Sequence, residues 1–266
     1  MVDRDYKAFI VEGEAREPLI IDNISKVFFT HANLKIITLP VGQNIYMLWK
    51  KLEKDDFDTD IIEVLREESN EVAKQLEGLE RDDFSEVYLL FDFDGHQNNL
   101  GKEIDVNVIE QMLESFDNET ENGKLYISYP MVEALRDFEA GKCGNDEFCF
   151  VSINEIGDYK TRSAEHSFYP QFKEYNFLIW KEVIDIFAMR ISCLMSENNV
   201  IDYEQYVEKI TPFEIYKKEE AEIKNQRVFV LSAFPEFLLD YFGIKLWKSC
   251  VKHSINYKAS ENCMYQ

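Results

Sequence analysis

Apolar residues run along this chain in two distinct periods. Short, nearly unbroken apolar runs occur at Tyr6–Val11, Leu34–Leu39 and Lys124–Ser128, and in the stretch Val87-Tyr88-Leu89-Leu90-Phe91. Such runs predict strands buried on both faces, as in a parallel sheet. Between them the apolar positions recur at helical spacing. Leu19, Ile20, Ile24 and Val27 form a stripe after Pro18, which suits a first helical turn, and predict a helix to about Phe29. Tyr46 and Trp49 mark a short helix over Ile45–Leu52. Ile61, Val64, Leu65, Val72 and Leu76 share one face of a longer helix over Thr59–Leu76, and Ile109, Met112, Leu113 and Phe116 do the same over Asp105–Phe116. Tyr129-Pro130 ends the fourth strand, and a further helix is expected over Met131–Phe138. The resulting β-α-β-α-β-α-β order predicts an α/β fold with a mostly parallel sheet flanked by helices and right-handed crossovers.

From about Gly141 the pattern changes. Phe148–Ile153 is expected as one more strand, and beyond Ser163 the chain reads as helical over Asn176–Met195, Asp202–Glu208, Pro212–Asn225 and Pro235–Val251. The predicted organisation is an α/β domain over residues 1–163 and a helical C-terminal region over 164–266, for which dimerisation or partner docking is the expected role. The most apolar segment, Phe177 to Met195, is interrupted by Lys181, Glu182, Asp185 and Arg190. It reads as a buried amphipathic helix and not as a membrane span.

The third strand carries the chemistry. It ends in Asp92-Phe93-Asp94-Gly95-His96, and open α/β sheets place their ligands at the carboxyl ends of strands. The two-residue period sends the Asp92 and Asp94 carboxylates to the same side, and like charges that close require a cation or a shared proton. A divalent metal site serving phosphate chemistry is the simplest solution. A second acidic cluster, Glu12-Gly13-Glu14, closes the first strand, and Glu133 follows the fourth. Carboxylates on three strands at one sheet edge would give the oxygen donors of a metal clamp.

Several neighbours have plainer explanations. Glu14 and Glu17 read as acids at a helix start, favoured by the dipole. Glu133 fits that role as well. Lys160 and Arg162 fit as loop cations, and His96 as a loop histidine. Tyr126 and Tyr129 are expected to pack the strand end.

The chain has 266 residues and a net charge of -22. That excess, much of it between Glu53 and Glu86, argues against binding a nucleic-acid backbone through a broad basic surface, but a bound metal can supply local positive charge. Only the stretch with Lys245, Lys248, Lys252, His253 and Lys258 is locally basic. The five cysteines are spread out with no CxxC pair, so a zinc ribbon is not expected and a reduced, cytoplasmic setting is. The charged start Met1-Val2-Asp3-Arg4-Asp5 does not have the form of a secretory signal.

The order Phe9-Ile10-Val11-Glu12-Gly13-Glu14, Glu17-Pro18, then Asp92-Phe93-Asp94 resembles the TOPRIM domain, in which a strand ends in a glutamate-glycine pair and a later strand in DxD. The Glu-Gly-Glu-x-x-Glu-Pro spacing is similar to the RloB-like group of bacterial abortive-infection proteins. It is also similar to TOPRIM effectors paired with ATPases in phage defence, such as the OLD-family nucleases and the AriB effector of the PARIS system. The resemblance covers roughly Tyr6 to Phe138. It implies a metal-dependent nuclease that cleaves DNA or tRNA as a toxic effector and is controlled by a partner ATPase; no Walker A motif is found in this chain. It further implies that Glu12 acts as acid/base or metal ligand, that Asp92 and Asp94 bind Mg2+ or Mn2+, that Glu133 joins them, and that Lys160, with Arg162 behind it, supplies a distal cation.

Two alternatives stay open at this stage. Leu89-Leu90-Phe91-Asp92-Phe93-Asp94-Gly95 also looks like the first motif of haloacid-dehalogenase-like phosphatases, with Asp92 as nucleophile. Two strands precede it, however, and His96 stands where Thr or Val is usual. The other alternative is a non-catalytic acidic TOPRIM scaffold or binding protein.

Overall fold

The structure is a computed structural model that describes residues 6–30, 34–93, 106–137, 149–195 and 201–252. They divide into two compact units. The first comprises residues 1–132 with 171–175, and the second 133–170 with 176–266. The α/β boundary expected at 163 therefore falls near 132, and the stretch that follows the fourth long strand packs with the helical unit.

The first unit is built on a five-stranded sheet in the order β2-β1-β3-β5-β4. Its strands are β1 (Tyr6–Val11), β2 (Lys35–Pro40), β3 (Phe84–Asp92), the two-residue β4 (Asp117–Asn118) and β5 (Gly123–Ser128). β1 pairs in parallel with β2 and β3, and β3 in parallel with β5; β4 alone is antiparallel. The mostly parallel sheet read from the apolar runs is present. Ala8, Phe9, Ile10 and Val11 are successive residues of β1 and none has exposed surface. Since successive residues point to opposite faces, both faces of the strand are covered. Helices α1 (Arg16–Phe28), α4 (Asn70–Gln75) and α5 (Val106–Ser115) pack against the strands of the sheet, and α2 (Ile45–Lys54) and α3 (Ile61–Glu68) complete the helices of the unit, α3 packing on α2 and α4.

The single helix expected over Thr59–Leu76 is two. Asp60 caps α3 by accepting from Ile62 and Glu63 N–H at 2.8 and 3.1 Å. Ser69 then takes an extended conformation, and its hydroxyl accepts from Val72 N–H at 3.3 Å, restarting the chain as α4. Apolar spacing continues through this break because both helices bury an apolar face; the serine cap is what stops the first and starts the second. The helix expected over Met131–Phe138 is a single 3-10 turn, Val132–Leu135, within the described residues.

The second unit contains a two-stranded antiparallel sheet, β6 (Phe150–Ser152) with β7 (Arg227–Phe229), the latter unforeseen from the sequence. Its helices are α6 (Ile156–His166), α7 (Phe177–Leu194), α8 (Tyr203–Lys209), α9 (Pro212–Lys224) and α10 (Ala233–Cys250). α7 starts at Asn176, whose side chain accepts from Leu178 and Ile179 N–H. It packs on α10, and Trp180, Ile184, Ala188, Ile191, Phe237 and Trp247 are buried. α10 kinks at Gly243, which adopts φ 59°. Among the described residues no helix is long and apolar enough to cross a membrane.

Glu219 on α9 is fully buried. Its Oε2 accepts from Phe229 N–H at 2.9 Å, while Oε1 has no hydrogen-bond partner. Burial pushes this carboxyl well above its ordinary pKa and nearby Glu222 adds to the shift, against the opposing Phe229 bond. Because the folded value lies above the unfolded one, the stability tied to this group is fully present below the ordinary carboxyl range. It falls as pH rises and the unfolded chain gives up its proton first. Glu219→Gln is therefore expected to hold stability more evenly, so that its melting temperature relative to the parent climbs between pH ~4 and ~8. A difference that does not change with pH would contradict this.

Candidate active site

The sheet order creates a switch point between β1 and β3: the chain passes from β1 to β2 on one side and then crosses back over β1 to form β3 on the other. Open α/β sheets carry their ligand crevice outside the carboxyl ends of the strands that flank such a point. Here those strands are β1 and β3, paired Val11 to Leu90, and their first residues beyond the dry core include Glu12 and Asp92. Both are partly exposed, whereas the residues before them, Val11 and Phe91, are buried. Asp92 still lies within β3, opposite Ser128 on β5. Ser128 is itself buried.

The reason for the order acid, aromatic, acid is visible at Phe93. Its N–H donates to the Ser128 carbonyl at 3.0 Å, and its ring lies 5.5 Å from that of Tyr129. Phe93 is thus a core anchor that holds the strand end in the sheet while Asp92 faces outward. Tyr126 and Tyr129 are buried here, as their positions suggest.

The β1 loop is held by three hydrogen bonds. Val41 and Gly42 N–H donate to the Val11 and Glu12 carbonyls at 2.9 and 3.0 Å, tying the loop to the segment after β2. Glu17, in the first turn of α1, folds back so that its Oε1 accepts from Gly13 N–H at 3.0 Å. The same carboxylate occupies the place a side chain at residue 13 would need: a Cβ there would lie 2.6 Å from Glu17 Oε2 and 2.8 Å from Oε1. Glycine at 13 allows this close approach; a side chain there would have to displace the Glu17 carboxylate. Glu17, expected as an exposed helix-start acid, is instead only 6% exposed and braces the loop that carries Glu12. The sequence signal was present: Ala15, at the N-cap position, offers no side-chain cap, and a glutamate stands four residues after the glycine. Glu14 is exposed, and its Oε1 would stand 3.3 Å from a Cβ at Gly42.

The remaining expected residues are distributed as follows. Asp94 and His96 lie outside the described residues. Glu133 is buried in the 3-10 turn and belongs to the second unit. Lys160 belongs to that unit too. Its side chain is exposed on α6, not in a loop, and its carbonyl accepts from Arg136 Nη2 at 2.8 Å and from the Ser163 hydroxyl at 3.1 Å. The geometry thus places Glu12 and Asp92 at the carboxyl ends of adjacent strands of the first unit. Among the described residues no group of three or more His, Cys, Asp or Glu side chains is arranged to hold a metal ion. Two hard carboxylate donors still suit Mg2+, which is commonly held by one or two carboxylates together with waters and substrate phosphates.

Comparison with protein-family models, with curated proteins and with solved structures finds no match to this chain.

Glu17→Ala is expected to leave the part-buried Gly13 amide without its acceptor, a loss of about 1 kcal/mol. Hydrogen exchange at Gly13 should accelerate, and Gly13→Ala, which must displace the same carboxylate, should do likewise. Unchanged exchange in both variants would show that the Glu17 carboxylate does not hold the loop.

Proposed function

We propose that the first unit is a metal-dependent phosphodiesterase of TOPRIM type, a nuclease that cuts DNA or tRNA. The observation that carries this reading is the placement of Glu12 and Asp92 at the carboxyl ends of adjacent parallel strands at the switch point of the sheet. The order of the motifs supports it: the strand that leads into Glu12-Gly13 comes first, and the strand that ends at Asp92 is its sheet neighbour.

In this reading Glu12 and Asp92 hold a Mg2+ or Mn2+ ion, with Asp94 as a further donor. The ion supplies charge neutralisation at a scissile phosphate. The chain's own contribution is positioning. Phe93 fixes the end of β3, Glu17 fixes the turn after β1, and the apolar strands beneath keep both carboxylates at the rim. Glu12 would also take or give a proton at the reacting water. With a net charge of -22, capture of a polyanion depends on the metal and on local cations, not on a broad basic face. An activity of this kind is toxic when free, and we place the protein among defence effectors restrained by a partner ATPase in the cytoplasm.

Incubation with plasmid DNA and total tRNA in the presence of Mg2+ or Mn2+ tests this. The parent protein should cleave one of them, and Glu12→Gln and Asp92→Asn should each lower the rate about 10²–10⁴-fold. Cleavage that survives both substitutions would reject the site. Hydrolysis of phosphomonoesters with no strand cleavage, lost on Asp92→Asn but not on Glu12→Gln, would favour the phosphatase alternative.

A further inference from the structure

Residues 241–252, the second half of α10 and the two residues after it, carry three lysines and no acidic residue in a protein whose net charge is -22. Gly243 interrupts the helical path at the start of this stretch, with φ 59° and ψ -146°, so the residues after it form a helical segment with its own direction. One side of that segment is anchored. Leu246, Trp247 and Cys250 are buried, and the Trp247 ring lies 4.9 Å from that of Tyr206 and 5.9 Å from that of Tyr203 on α8. The other side presents Lys245, Lys248 and Ser249, which fall at i, i+3 and i+4 and are exposed, and exposed Lys252 follows the C-cap.

The helix dipole accounts for a cation in the last turn, which is Lys248. It does not account for Lys245, a turn earlier, or for the lack of acids among the twelve residues. Lys245 and Lys248 take part in no ion pair among the described residues. Lys252 does have a partner: Asp185 on α7 accepts from its backbone N–H at 2.8 Å and stands 3.5 Å from its ammonium, yet that side chain stays 67% exposed. At physiological salt the Debye length is about 8 Å, so more distant acids of the protein weigh little on this face.

The chemistry of the face selects its partner. It holds lysines and no arginine, so it lacks the planar fork that pairs with single carboxylates; lysines act as point charges, which suits a repeated phosphate. From Lys245 to Lys252 the backbone advances about 10 Å, the length of about three successive phosphates along one duplex strand. An anionic lipid surface fits less well, because a helix lying in that interface needs a free apolar side, and here Leu246, Trp247 and Cys250 are buried in the protein.

We infer that the Lys245, Lys248 and Lys252 face of α10 is a docking surface for the phosphate backbone of a nucleic acid. The inference rests on the nuclease reading for its choice of polyanion, and it adds a place, outside Glu12 and Asp92, where the chain holds its substrate without reading sequence.

Fluorescence anisotropy of labelled duplex DNA and of labelled tRNA, titrated with the full chain in EDTA, measures docking without cleavage and without a bridging metal. Binding in either arm should weaken between about 25 and 200 mM salt, log K falling against log salt with a slope of about 2–3, as three phosphate contacts require. The double variant Lys245→Gln with Lys248→Gln should lower that slope by about 1.5–2 and weaken binding at low salt about tenfold or more. Lys218→Gln with Lys224→Gln, the same change in net charge on exposed lysines of α9, should alter neither. No binding by the parent, a slope that the α10 variant leaves untouched, an equal loss in the α9 variant, or binding to phosphatidylserine vesicles in preference to both nucleic acids would overturn the docking surface. The nuclease reading fails by a different result. Docking of this kind with no cleavage in Mg2+ or Mn2+ would remove the enzyme and keep the surface, whereas cleavage with an unchanged KM in the α10 variant would keep the enzyme and remove the surface.

Discussion

Strands β1 and β3 lie side by side in the sheet with apolar residues on both faces, so neither can carry a charged side chain through its middle without leaving that charge dry. Lys7, near the start of β1, illustrates the rule. It is buried, and it is paired with Glu86, its register partner on β3, which also accepts the Tyr88 hydroxyl at 2.7 Å. Beyond that point the strands stay apolar until the chain reaches the opposite rim. There both become polar within a residue of each other, at Glu12 and at Asp92. Double-sided burial therefore fixes where acidic chemistry can appear, and parallel pairing brings the two acids to one edge.

Burial alone does not orient a loop. Past Val11 the chain leaves the sheet, and its path depends on hydrogen bonds with named partners: Gly42 N–H to the Glu12 carbonyl, and Gly13 N–H to the Glu17 carboxylate. The Glu17 brace shows how a short motif can hold two different kinds of glutamate. One faces the rim, and the other is spent inside the turn that presents it. On the β3 side Phe93 does the equivalent work through packing on Tyr129.

The periodic parts of this fold were legible in the sequence. The parallel strands and the helices α1, α2 and α5 follow from apolar spacing, because packing against a sheet demands it. What escaped were features set by single polar contacts or by partners remote in sequence. The Ser69 cap interrupts an apolar face that otherwise continues. Strand β7 exists only because Arg227–Phe229 meets Phe150–Ser152, roughly three-quarters of a hundred residues away. The boundary near residue 132 reflects how the chain packs, and no change in composition marks it. Of the candidate site, the positions of Glu12 and Asp92 at one edge could be read from motif order. The inward role of Glu17 had only a faint signal, the uncapped Ala15 and the four-residue spacing from Gly13, set against the rule that a glutamate in a first helical turn is ordinarily solvated. Glu133 is suggested by strand order as well as by resemblance and Lys160 by resemblance alone, and the fold assigns both to the second unit.

The central claim is that Glu12 and Asp92 form one cation site although they come from different strands. Titration of Mn2+ into the protein, followed by the loss of the free-ion paramagnetic resonance signal, measures this without any substrate. The account predicts saturable binding in the parent that is lost in Glu12→Gln and lost equally in Asp92→Asn. Binding that is absent in the parent, or that persists unchanged in either variant, would contradict it.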